Sequence, residues 1–127
     1  MRRKEWSRVV LLSIAVTFCL GAFLFDAQFK VIRRAMDDLI YDNRNHFLSC
    51  EMLPAESTVK QIVGEQQAII WQIEQVNPGQ VGVEIDTSCP GKADLVIWYA
   101  SHQNRLAIEK IINSETFYGV PYRLQNR

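Results

Sequence analysis

The sequence has no excess of charge of either sign: 14 lysines and arginines balance 14 aspartates and glutamates. A general polyanion binder needs a basic surplus, so nucleic acid is not an expected partner. Histidine is scarce, and neither His46 nor His102 stands at ligand spacing from a cysteine. No metal and no cofactor are therefore expected. The chain also lacks a G-x-S-x-G elbow, a phosphate loop, an H-E-x-x-H pair, a dinucleotide fingerprint and a C-x-x-C pair. Without these motifs there is no catalytic constellation and no evident small-molecule substrate. No Gly/Ser linker, low-complexity run or internal repeat interrupts residues 26–127, which leaves about 100 residues for one small core.

A long hydrophobic run, by contrast, is present. Residues 9–25 carry no charge and follow a segment holding Arg2, Arg3, Lys4 and Arg8. Seventeen residues at 1.5 Å rise make a helix of roughly 25 Å, near the lower limit for a hydrocarbon core of about 30 Å. The expectation is a cytoplasmic tail over 1–8 and a transmembrane signal-anchor over 9–25, with the lipid bilayer as first partner. Leu20-Gly21-Ala22 and Phe25-Asp26-Ala27 put a large residue where signal cleavage wants a small one, which favours retention. Thr17-Phe18-Cys19 likewise lacks the small residue expected before a lipidated cysteine. The basic flank places the N-terminus in the cytoplasm and the rest outside it, periplasmic or extracellular, although Lys30, Arg33 and Arg34 reduce the asymmetry.

Beyond the run, Phe25, Phe29, Ile32, Met36 and Leu39 recur at steps of four and three, a helical seam of period 3.5. This predicts a helical stalk over 26–45. Phe29, Ile32, Met36 and Leu39 then either pack on the chain's own domain or dimerise with a second copy.

Residues 46–127 read as an α+β domain. A short strand is expected over 46–53, ended by Pro54. Thr58 and Gln61 suggest a capping box for one long helix running to Val76, and Asn77-Pro78-Gly79 stops it. Val81, Val83 and Ile85 alternate with Gly82, Glu84 and Asp86 as in a strand with one wet face. Residues 93–100 are apolar apart from Asp94, as in a central strand. Ser101 can cap a helix whose stripe is Ala107, Ile108, Ile111 and Ile112, and residues 117–124 form a last strand that Pro121 confines to an edge. The order β-α-β-β-α-β is that of a ferredoxin-like fold. In that sheet the first strand lies between the third and the last, and the second strand forms the other edge.

This topology brings Cys50 and Cys89 to one end of the sheet. In an oxidising compartment they are expected as a disulfide, closing about 40 residues for roughly 4 kcal/mol in the chain-entropy model. The other reading is a redox-active thiol pair. Cys89-Pro90-Gly91-Lys92 reads as a turn, and His102 as a first-turn helix residue. For partners, the expected surface is the open sheet face, where Glu84 and Asp86 point outward alongside Val96 and Trp98. Trp98 could alternatively pack on the stalk or on Tyr118 and Tyr122, and the edge over 117–124 could receive another chain's strand. Together these features predict a single-pass, membrane-anchored, non-enzymatic interaction or assembly subunit of a cell-envelope complex. A membrane-anchored thiol protein and a phage or plasmid envelope lysis or exclusion factor are the alternatives.

Overall fold

The computed structural model describes the backbone of residues 2–127 and, within the N-terminal helix, the side chains of residues 10–21, 24–25 and 29–39. The chain divides into two compact units, Met1–Met36 and Asp37–Arg127.

The first unit is helical. Helix α1 spans Arg2–Leu39 without interruption. The expected membrane crossing is not supported: among the described residues no helix is long and apolar enough to cross a membrane. The uncharged run between Arg8 and Asp26 has a helical length of roughly 25 Å, against about 30 Å of hydrocarbon. Of the expected anchor, the side chains of Val9, Ala22 and Phe23 lie outside the described residues.

The second unit corrects the ferredoxin-like expectation at its first strand. Residues 46–53 form no strand; an irregular segment leads into a single 3-10 turn, Cys50–Met52. Phe47 sits at φ 55°, which breaks the extended run that its apolar neighbours suggest. The expected long helix is two, α2 (Glu56–Glu65) and α3 (Gln67–Glu74), separated at Gln66, whose φ of −105° and ψ of 26° leave the helical region. Ala55 rather than Thr58 occupies the N-cap of α2, so the capping box is not used.

Strands β1 (Val81–Asp86) and β2 (Asp94–Tyr99) form where alternation and the apolar run placed them. They pair antiparallel from Val81↔Tyr99 to Asp86↔Asp94. The turn between them is closed by the Lys92 N–H donating to the Cys89 carbonyl at 3.0 Å, with Pro90 second and Gly91 third at φ 69°. That is the type II arrangement, in which a third-position glycine takes the positive φ. Helix α4 (His102–Ile112) follows, and the Ser101 side chain accepts from the Asn104 N–H.

The last expected strand is instead a hairpin. Strand β3 (Thr116–Phe117) returns through Tyr118 at φ 51° and Gly119 at φ 89° into β4 (Val120–Asn126). Two positive φ values in a two-residue loop make this a type I′ turn, whose twist suits a hairpin. The sheet order is β1-β2-β4-β3, so β4 lies inside the sheet rather than at its edge. Pro121 is tolerated because the parallel ladder with β2 begins only at Leu95↔Tyr122.

One sheet face carries the core. Leu95, Ile97 and Tyr99 of β2 and Leu124 of β4 are fully buried against Val59, Ile73 and Ile108 of the helices. The opposite face carries Gly82, Glu84 and Asp86, then Asp94, Val96 and Trp98, then Arg123 and Gln125, in register.

Candidate functional site

Two clusters of charge stand out in the second unit. The first lies on the polar sheet face. Asp94 opens β2 with a side chain 4% exposed, and Arg123 of β4 meets it twice, Nε to Oδ2 at 2.6 Å and Nη2 to Oδ1 at 3.0 Å. The same Nη2 reaches Asp86 at the end of β1. His46 completes the group, its Nε2 lying 2.7 Å from Asp94 Oδ2. Its Nδ1 accepts the Leu48 N–H at 3.0 Å, so the proton sits on Nε2 and is donated to Asp94. Ser88, through its hydroxyl and its backbone N–H, and then Arg123 hold the Asp86 carboxyl at about 2. Hydrogen bonding to Asp94 comes first in raising Arg123.

A cleft of about 390 Å³ opens beside these groups, lined also by Asn45, Phe47 and Cys89. Cys89 is joined to Cys50 in a disulfide with a Cα–Cα distance of 5.4 Å. The cleft is thus walled by groups that already satisfy one another. Both imidazole nitrogens of His46 are engaged, which leaves no lone pair to take a proton from a substrate in this arrangement. Among the described residues, no group of three or more histidine, cysteine, aspartate or glutamate side chains could hold a metal ion.

The second cluster fastens the end of α1 and the segment after it. Arg105 of α4, 8% exposed, pairs with Asp38, with Asp42 Oδ1 at 3.0 Å and with Glu109 at 3.2 Å. Burial opposes its charge, and the bonds to Asp38, Glu109 and Asp42 outweigh that and raise it. His102 Nδ1 lies 2.8 Å from Asp42 Oδ1, and the Tyr99 hydroxyl donates to the Asp42 carbonyl. Burial, and next the Asp42 charge, push the Tyr99 phenol up. Asp42 itself turns at φ 52°, and among the described residues its buried Oδ2 has no hydrogen-bond partner. Arg44 continues the strap, exchanging backbone hydrogen bonds with Leu124 at 2.9 and 2.8 Å and lying 5.7 Å from the Tyr122 ring centre.

The residues singled out from sequence fall in different settings. Glu84 is exposed and lies 3.4 Å from Arg127, whereas Asp86 belongs to the first cluster. Val96 is not the exposed anchor expected, since only 5% of it is accessible between its ladder neighbours Glu84 and Arg123, whose long stems can cover an apolar neighbour. Trp98 is half-buried and lies over Gly82 on its own sheet, not over Tyr118 or Tyr122. The seam residues Phe29, Ile32, Met36 and Leu39 are exposed at 61%, 54%, 42% and 82%.

Sequence reasoning passed over Asp94, Arg123 and Arg105. The one available signal was Asp94, the lone charge inside an otherwise apolar strand. Such a charge, once buried, must have a partner.

No protein-family model, no curated protein and no solved structure matches this chain.

Proposed function

We propose that this protein is a non-enzymatic interaction subunit of a multi-protein cell-envelope assembly, with the unit Asp37–Arg127 on the extracytoplasmic side. The exposed apolar length of α1 carries the proposal: Leu11, Phe18, Phe25 and Phe29 are each 61–79% accessible. A folded chain rarely leaves a contiguous apolar surface beyond a few hundred Å² bare, and aromatic side chains dominate interface energies. Partner protein surface is what such a helix is built to meet. The Cys50–Cys89 bridge supports the compartment, because disulfides persist where the surroundings are oxidising.

The test is affinity capture of the full chain from mild detergent, alongside a variant carrying Phe18→Ser, Phe25→Ser and Phe29→Ser. The expected result is stoichiometric envelope proteins with the native chain and their loss with the variant, while the disulfide and the slow-exchanging amides of 81–126 stay unchanged. Recovery of the native chain alone, without partners or self-association, overturns the proposal.

A further inference from the structure

The two long edges of the sheet are finished differently. Along the outer edge of β4, β3 pairs at Thr116↔Pro121 and Phe117↔Val120, Arg44 exchanges hydrogen bonds with Leu124, and the Asn43 side chain accepts the Asn126 N–H at 2.7 Å. Among the described residues the outer edge of β1 has no such cover beyond the bridge of Pro78 to Val81. Its six residues keep an unbroken register with β2, and none of the usual guards, proline, lysine or a bulge, occurs in them.

The groups facing outward follow from the pairing. Tyr99 accepts the Arg127 N–H at 2.9 Å on the β4 side, so its backbone groups turn away from β1 and Val81↔Tyr99 is a non-hydrogen-bonded pair. By alternation Gly82, Glu84 and Asp86 face β2, while Val81, Val83 and Ile85 face outward. Val81 is engaged locally in a bridge with Pro78. The N–H and C=O groups of Val83 and Ile85 make no other backbone hydrogen bond among the described residues.

Glu84 decides what can use them. In a second copy of this chain, the antiparallel register that satisfies all four open groups sets Val83 against Ile85 and Glu84 against the second copy's Glu84. Like charges directly opposite destabilise a pair, so the edge is guarded against itself. A basic residue at that place gains instead, because Glu84 is 53% exposed and its contact with Arg127, itself 49% exposed, is easily exchanged. Residues flanking the basic one fall on the core side, beside the half-buried Val83 and Ile85.

We infer that the outer edge of β1 binds an extended segment of a partner protein, apolar–basic–apolar in sequence, with its lysine or arginine opposite Glu84. The peptide adds a strand; main-chain hydrogen bonds to Val83 and Ile85 hold it, and Glu84 selects it. This surface uses none of the residues of α1, and its test does not use α1.

Amide exchange measured residue by residue in the full chain tests it, with three synthetic peptides as probes: V-K-V-K-V, V-E-V-E-V, and V-K-V-K-V methylated on alternate backbone nitrogens. Saturating V-K-V-K-V is expected to slow exchange at Val83 and Ile85 about tenfold and to leave other amides unchanged. V-E-V-E-V should bind about fivefold more weakly, and Glu84→Lys should invert that preference. The methylated peptide should give no protection. Equal binding of the two charged peptides, or protection by the methylated one, overturns the inference. Slow exchange at these amides without peptide also overturns it: if it rises with protein concentration a second copy holds the edge, and if it does not the edge is already covered.

Discussion

Two stretches of the second unit are held by opposite means. Residues 81–126 are ordered by backbone ladders and by side chains such as Leu95, Ile97 and Leu124 that are wholly withdrawn from water. Residues 40–55 have one 3-10 turn and only isolated backbone bridges, at Arg44↔Leu124 and Ala55↔Lys92, and depend on side-chain fastenings: Arg105 on Asp42, His46 on Asp94, and the Cys50–Cys89 bridge. A ladder spreads its stabilisation over many similar bonds. A fastened segment rests on a few dissimilar ones, each removable by one substitution.

Removing the bridge should separate the two stretches most. Replacing Cys50 and Cys89 by serine is expected to cost about 4 kcal/mol in chemical denaturation, through the lost constraint on a loop of 39 residues' separation. Amides of 44–55 should become fast-exchanging while those of 94–99 still report only global unfolding. If both stretches loosen equally, the distinction fails.

Next in size is Arg105→Ala, which strips the buried partner from Asp38 and Asp42. A loss of about 3 kcal/mol is expected, concentrated at residues 38–45. Asp94→Asn should follow at about 2 kcal/mol, since it weakens charge-assisted bonds from Arg123 and His46 to a carboxylate that has almost no water. Its effect should reach both stretches, because Asp94 is at once the start of β2 and the anchor of His46.

The smallest effect concerns acid. Asp86 has its folded-state value lowered from 3.8 to about 2, so its stabilisation is complete above about pH 4 and disappears as the pH falls through about 2. With 27% of the side chain exposed, the contribution should stay under about 1 kcal/mol. Melting temperatures between pH 2 and pH 4 would show it as the part of the slope that Asp86→Asn removes and Ser88→Ala reduces.

The same contrast explains what could be read from sequence. Strands β1 and β2, helix α4 and its Ser101 cap were legible because local periodicity and capping chemistry dictate them. The failure at 46–53 has the opposite cause: Phe47, Leu48, Met52 and Leu53 look like strand residues, but their path is set by fastenings to Asp94 and Cys89, 40 or more residues away in chain or nearly so. The β3–β4 hairpin was hidden because Tyr118 takes a positive φ that its residue type does not announce. Pro121 correctly marked a missing N–H, yet it sits just before the ladder with β2 and not on an edge strand. Of the polar cluster, Asp86 was singled out, but as an outward partner contact and not as a partner of Arg123. Arg123 and Asp94 were not, because pairing across strands depends on register, which no local pattern states.

Gly82 is placed where a Cβ would overlap the Trp98 indole. The two positions therefore behave as one inherited character. A descendant of this chain cannot enlarge residue 82 and keep the indole where it lies. It must shrink residue 98 at the same time or pass through a less stable intermediate. Over evolutionary time the pair should vary together or not at all, even though one member is a residue with no side chain.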